Sequence, residues 1–343
     1  MSVDSHYLIA VDNECKTPKY RQIVDSIVSG LEVGVLGIGD KLPSINELLF
    51  EFDVSRDTAV KAYNHLKDMD ILESVPGKGF YIRDHPFKRR AKVLLIFNKL
   101  SAHKKIIYDA FAETLGDKAS IDFLIYNNNF QLFKTWILEN KDKPYTHFVI
   151  IPHFKEHSWE APELINLIPK HKLILLDKRI KGVTGEYAAV YQDFARDIYT
   201  ALTEAHAHLS KYRRLNLIFP TYSYHPREIL DGFRDFCVEH GFESHFVSDI
   251  NQEEVRAGEV YINLMEDDLV VLIKRVKECG LNVGTDVGII SYNETPLKEI
   301  LLDGITVIST DFQQLGETAA RMLLEGQKQH VANPFHLVIR RSL

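Results

Sequence analysis

From Lys92 to Glu325 short apolar runs alternate with helical stretches, and this alternation restricts the fold more than any other feature of the chain. The runs Lys92–Phe97, Ile121–Tyr126, Thr146–Ile151 and Leu173–Leu176 are rich in Ile, Val, Leu and aromatics. Helical spacing falls between them at Lys104–Leu115, Phe130–Glu139 and Pro162–Ile168. A second series follows: helix Phe194–Leu209, strand Leu215–Phe219, helix Arg227–His240, strand Phe242–Val247 and a helix after Asn251. It continues with strand Val260–Asn263, helix Asp267–Cys279, strand Val287–Ile290 and helix Leu315–Glu325. Apolar strands separated by helices predict parallel sheets covered on both faces. Two series of similar length predict two α/β lobes.

Ligands of open parallel sheets bind outside the carboxyl ends of the strands, which directs attention to the segments just after each strand. They supply Asn98, Ser101, His103, His153, Asp177, Arg179, Tyr222, Arg227, Asn263, Asp267 and Asn293. Planar hydrogen-bonding groups and aromatic faces of this kind suit the polar edge and apolar face of a sugar ring. Each Asn, Ser or His could equally cap a helix at its strand-to-helix turn. Asp177 and Arg179 could form a structural ion pair, Asp193 could cap the next helix, and Trp136 and Trp159 read as packing residues. His206 and His208 lie two apart on a helix and face different ways. The 15 histidines form no metal-binding spacing, so neither metal nor cofactor is expected.

Residues Gly39–Arg83 have a different texture. Ser44 precedes Glu47 by three residues just before Leu48–Leu49, the pattern of a capping box. After a turn at Asp53–Val54, Ser55 can cap a second helix whose buried face is Ala59, Ala62, Tyr63, Leu66 and Met69. Its other face carries Arg56, Asp57, Lys61, Asn64 and Lys67, with Thr58 near the start. Ile71–Val75, Pro76–Gly77–Lys78–Gly79 and Phe80–Ile82 read as a hairpin. Helix, turn, helix and glycine-rich wing in this order fit a duplex groove, with first-turn side chains reaching base edges. The preceding apolar positions Tyr20, Ile23, Val24, Ile27, Val28 and Leu31 predict a helix beneath this unit. Residues 1–16 read as an extended arm, strand-like at His6–Val11.

Charge limits how such a head can work. The net charge is −7, and residues 1–85 hold 9 Lys and Arg against 14 Asp and Glu. Affinity for nucleic acid must come from charges gathered on one face and from dimerisation. Three widely spaced cysteines give no disulfide framework. With no secretory pattern and no apolar run of ~20 residues, a cytoplasmic protein without membrane contact is expected. Neither GVLGIG nor PGKGF has the context of a nucleotide-binding loop, and no catalytic constellation stands out, so an enzyme is not expected. The alternative would be an α/β sugar-modifying enzyme fused to a winged helix.

The segment Lys19–Arg83 resembles the winged helix-turn-helix head of the GntR family of bacterial transcription regulators. The resemblance rests on YRQIVDSIVSG, GDKLPS with Glu47, VSRDT followed by Lys61–Ala62–Tyr63, and PGKGF. By motif, Ser44, Ser55, Arg56 and Thr58 match DNA-contacting positions, and Gly77, Lys78 and Gly79 match the wing tip. Asn46 and Val60 stand where members often place arginines, which implies fewer or different guanine contacts. Lys92–Leu324 resembles the effector domain of the LacI family and the periplasmic sugar-binding proteins, through LLDKR, VYQD, Arg227 to Gly232–Phe233, VGTDVGIISYN and GETAARMLLEG. Asp177 matches a ligand position, Asn293 replaces a usual Asp, and Arg227 lies two residues before the usual arginine. The expected organisation is a DNA-binding head at 1–83, a linker at 84–91 and a two-lobed domain for effector binding and dimerisation at 92–343. These resemblances imply a homodimeric repressor of operator DNA that responds to a monosaccharide.

Overall fold

The computed structural model describes residues 9–12, 15, 17–32, 34–83, 91–154, 159–221, 223 and 225–343. Two compact units are formed by Met1–Leu95 with Leu115–Leu124 and Glu139–Phe148, and by Ile96–Thr114, Ile125–Leu138 and Val149–Leu343. Most of the expected linker (84–90) and of the expected N-terminal arm lies outside the described residues; Ile9–Asp12 is not strand.

The head contains α1 (Lys19–Glu32), β1 (Lys41–Leu42), α2 (Ile45–Phe52), α3 (Arg56–Asp68), β2 (Leu72–Val75) and β3 (Gly79–Ile82). The strands form an antiparallel sheet in the order β1-β3-β2. The Ser44 hydroxyl accepts from the Glu47 amide while the Glu47 carboxylate accepts from the Ser44 amide, so the capping box is complete. Asp53 closes the turn between α2 and α3 with φ 47°, a conformation that a short polar side chain tolerates. The Lys19 ammonium donates to the Asp53 carbonyl at 2.9 Å, tying α1 to that turn. Ile23, Ile27, Leu48, Ala59, Ala62, Tyr63 and Leu66 fill the core, as the helical spacing predicts. Met69, expected on the buried face, is instead exposed, because it is the residue that caps α3.

The rest of the chain runs β4 (Ala91–Phe97), α4 (Ala102–Leu115), β5 (Ala119–Ile125), α5 (Phe130–Asn140), β6 (His147–Ile150), α6 (Ala161–Asn166), β7 (Leu173–Asp177) and β8 (Ala188–Tyr191). It continues through α7 (Phe194–Glu204), α8 (His206–Leu209), β9 (Arg214–Ile218), α9 (Glu228–His240), β10 (Glu243–Val247), β11 (Glu259–Asn263) and α10 (Glu266–Glu278). It ends with β12 (Val287–Tyr292), α11 (Pro296–Ile300), β13 (Thr306–Thr310), α12 (Phe312–Glu325), β14 (His330–Ala332) and β15 (Phe335–Val338). Two six-stranded sheets result, ordered β14-β8-β7-β6-β4-β5 and β10-β9-β11-β12-β13-β15. The chain passes from one sheet to the other after β8, β13 and β14. The pairs β10–β9, β9–β11, β11–β12, β12–β13, β14–β8 and β7–β8 are parallel, while β15 joins β13 antiparallel.

The expected alternation is present, with corrections. The helix expected after Asn251 is a run of turns, because Asp249 binds the amides and side chains of Asn251 and Gln252 locally. The helix expected over Phe194–Leu209 breaks at Ala205 into α7 and α8. The strands β8, β13, β14 and β15 were not separated from their surroundings by pattern alone.

Candidate functional site: a polar cavity and a free helix face

A cavity of about 320 Å³ opens at the carboxyl ends of the strands, and every residue lining it belongs to the second compact unit. Asp177 at the end of β7 is its hub. Asp177 holds a left-handed φ of 70°, and its buried carboxylate receives Lys104 Nζ at 2.5 Å and His153 Nε2 at 2.8 Å on the same oxygen. Its other oxygen accepts from the Gln192 amide. Burial alone would raise this carboxyl, but the Lys104 ammonium and the His153 ring outweigh it and hold it well below the usual range. Burial pushes His153 down despite that carboxylate, so the ring is neutral at pH 7. Its backbone amide donates at 2.9 Å to the Tyr126 hydroxyl, which fixes the loop after β6.

The opposing wall comes from β12 and the residues after it. Asn293 has φ 62°, and its carbonyl accepts from the buried Lys298 ammonium at 2.6 Å; the Tyr292 carbonyl accepts from the same group at 3.0 Å. Burial lowers Lys298 to about 8, with Glu266 and Glu294 opposing the fall. His103 Nε2 lies 3.0 Å from the Glu294 carbonyl, and its ring centroid sits 4.6 Å from that of Phe312. Asn98 donates to Asn128 at 2.8 Å. The Ser101 hydroxyl accepts from the Lys104 amide at 3.2 Å and so caps α4.

Buried polar atoms of lining residues without a hydrogen-bond partner among the described residues include Asn98 Oδ1, Gln192 Oε1, Asn293 Oδ1 and the Tyr292 hydroxyl oxygen. Three are amide oxygens, which only accept. Each such atom costs about 1–3 kcal/mol if left unmatched, so the cavity is built for a ligand or water that donates several hydrogen bonds. Phe194, Leu264, Met265 and Phe312 give it apolar surface between these groups.

Of the residues singled out in the sequence, Asn98, Ser101, His103, His153, Asp177, Asp267 and Asn293 line this cavity. Asp267 sits exposed at the start of α10. Asn263 lies off the lining and is wholly buried, its amide donating to the Met265 carbonyl and the Ser291 hydroxyl, both at 3.0 Å. Arg179 neither lines the cavity nor pairs with Asp177; its guanidinium lies 3.8 Å from the centre of the Tyr191 ring. Arg227 is exposed and outside the lining, and Tyr222 lies outside the described residues. Asp193 occupies the cap position of α7 without a side-chain cap bond, and Trp159 is largely exposed. Sequence reasoning missed Lys104, Gln192, His225, Tyr292, Lys298 and Phe312. Lys104 stands three residues after Ser101 in the first turn of α4, which was the available signal.

In the head, Ser55 Oγ accepts from the Thr58 amide at 3.2 Å and lies 2.9 Å from Thr58 Oγ1. Arg56 and Asn64 are exposed along α3, and Asn46 is exposed on α2. Lys61 is also exposed on α3, and its ammonium lies 4.2 Å from the centre of the Tyr20 ring on α1. At the wing tip Gly77 and Gly79 have φ of 73° and 116°, with exposed Lys78 between them.

No helix among the described residues is long and apolar enough to cross a membrane, and no group of three or more His, Cys, Asp or Glu is placed to hold a metal ion.

Comparison with known proteins follows the same division. Residues 205–343 match a periplasmic binding protein-like domain, and residues 19–82 match the bacterial regulatory proteins of the gntR family. The chain is similar in fold to the lac repressor dimer bound to operator and the anti-inducer ONPF, with TM-score 0.60 and 16% identity over 74% of this chain and 94% of that one. It is also similar to a LacI family transcriptional regulator from Lactobacillus casei with bound glucose, with TM-score 0.57 and 13% identity over 74% of this chain and 100% of that one. At such identity these likenesses establish the fold alone. The chain is 33% identical over 98 residues to the HTH-type transcriptional repressor YtrA of Bacillus subtilis, covering 29% of this chain and 72% of YtrA. The chain, a transcription regulator with a winged helix-turn-helix head and a periplasmic-binding-like α/β domain, belongs to the GntR family.

Proposed function

We propose that the protein is a ligand-responsive repressor: α3 enters the major groove of an operator, and a monosaccharide binds the cavity around Asp177. The observation that carries the sugar reading is the set of unmatched buried acceptors Asn98 Oδ1, Gln192 Oε1 and Asn293 Oδ1, beside the Tyr292 hydroxyl. Sugar hydroxyls donate to such oxygens, and Phe312 or Phe194 offers a face to the ring. Glucose in the Lactobacillus casei regulator, which has the same fold, supports this ligand class. Arg56 carries the DNA reading, as an exposed guanidinium in the first turn of α3 beside a helix N-terminus suited to phosphate.

Two copies act together, because one small head makes too few contacts for specific affinity, and two heads read a palindromic site. The sugar releases DNA by binding the incompetent arrangement more tightly; a few kcal/mol of difference is enough to switch occupancy. The test is a thermal-melt panel of monosaccharides with DNA binding in parallel. A sugar that raises the melting temperature and weakens operator binding supports the reading, and Arg56→Ala keeps the thermal response while specific DNA affinity falls at least tenfold. A sugar that is consumed, or a panel without any stabilising member, overturns it.

A further inference from the structure

The outward face of α3 contains one aliphatic side chain among polar ones. Ala59, Ala62, Tyr63 and Leu66 are buried against the head core, while Arg56, Asp57 and Asn64 face outward together with Val60, which is 37% exposed. Lys61 is the next cation along α3, and its ammonium lies over the Tyr20 ring.

We propose that Val60 reads operator sequence by packing against the 5-methyl group of a thymine about two base pairs from a guanine held by Arg56. This rests on α3 docking in the major groove as proposed above. Val60 follows Arg56 by four residues and shares its side of the helix, about 6 Å along the axis at 1.5 Å per residue. The bases along a strand rise 3.4 Å each, which gives a separation of about two. In the major groove the thymine methyl is the apolar group available to an aliphatic side chain, and it distinguishes thymine from cytosine and from uracil. An aliphatic side chain there has no hydrogen bond to offer, so its discrimination comes from the methyl contact.

The full-length protein first selects duplexes from a random pool, and the selected site is then remade with each thymine replaced in turn by uracil in both half-sites. Uracil preserves pairing and removes only the methyl group. One symmetric thymine is expected to be sensitive, losing about fourfold in affinity per half-site, the fold-change that corresponds to burying one methyl group. Val60→Ala is expected to bind the thymine and uracil duplexes equally, and Val60→Ile to restore the preference; both substitutions are at an exposed helical position. If no thymine is sensitive, or if Val60→Ala still distinguishes the two duplexes, the inference is overturned while groove docking stands. If no duplex is selected at all, docking itself fails and takes this inference with it.

Discussion

The partly buried imidazoles around Asp177 make stability depend on pH in a definite direction. Burial, with the neighbouring His153 ring and Lys99 ammonium, pushes His225 from 6.5 down to about 4. The unfolded chain takes up that proton near 6.5, whereas the folded chain resists until about 4. Between those values the unfolded state binds more protons, so stability is complete above about 6.5 and falls as pH drops toward 4. Across that window the loss from this residue is about 3 kcal/mol. His153 and His103, lowered first by burial, act in the same direction. Asp177 is a carboxylate held well below 3.8, so its contribution is lost only at lower pH still. Urea midpoints measured from pH 7.5 to 4.5 should therefore decline, and His225→Gln should flatten the decline by about the amount stated. An unchanged slope would mean that His225 titrates normally in the folded protein. The sequence exposed Asp177 as a residue following a strand, yet it did not expose the ion pair. Lys104 is one of several polar residues on an ordinary helix, and only the tertiary structure shows that its ammonium is buried. The left-handed backbone of Asp177 and Asn293 was equally hidden, because Asp and Asn take that conformation without marking it in the sequence.

At the scale of elements, the close approach of α7 and α9 depends on one missing side chain. A Cβ built on Gly232 would lie 2.0 Å from the Ala195 carbonyl oxygen and 2.8 Å from Ile198 Cγ2. The carbonyl belongs to helix backbone and cannot swing aside, so Gly232→Ala must separate the helices. Ile198, Leu202, Phe233 and Phe236 pack in the same cluster and would lose contact. Overpacking of this kind typically costs about 1–3 kcal/mol, which denaturant melts would read as a lower midpoint. A midpoint equal to wild type would show that α9 can slide. The strands and helices with clean periodicity were legible because burial and pattern coincide: β4, β7 and β9 are apolar runs buried along most of their length. The short elements were not. β8 is only Ala-Ala-Val-Tyr, and β14 and β15 are held by pairing to β8 and β13 rather than by their own composition. Lys61 shows the same limit from the other side, since helical spacing placed it outward but could not show the Tyr20 ring beneath it.

At the scale of the whole molecule, an acidic protein that binds DNA should show a restrained dependence on salt. The net charge is −7, and the cations of the head are sparse. Lys61 and Lys67 lie near aromatic rings, and Arg83 pairs with Asp70, while Arg56 and Lys78 remain exposed at the helix start and the wing tip. If each of two heads neutralises two or three phosphates, the logarithm of affinity falls against the logarithm of salt with a slope of about −4 to −5. Nonspecific binding draws on the same few cations and is opposed by the remaining negative charge, so it should be weak and the ratio of specific to nonspecific affinity high. Lys78→Ala in both heads removes two phosphate contacts and should reduce the slope by about 2 while leaving sequence preference unchanged. Titrations of one selected duplex from 50 to 300 mM salt measure this directly. A slope steeper than about −8 would require basic residues beyond the winged helix to reach the DNA, which would move part of the operator contact out of the head.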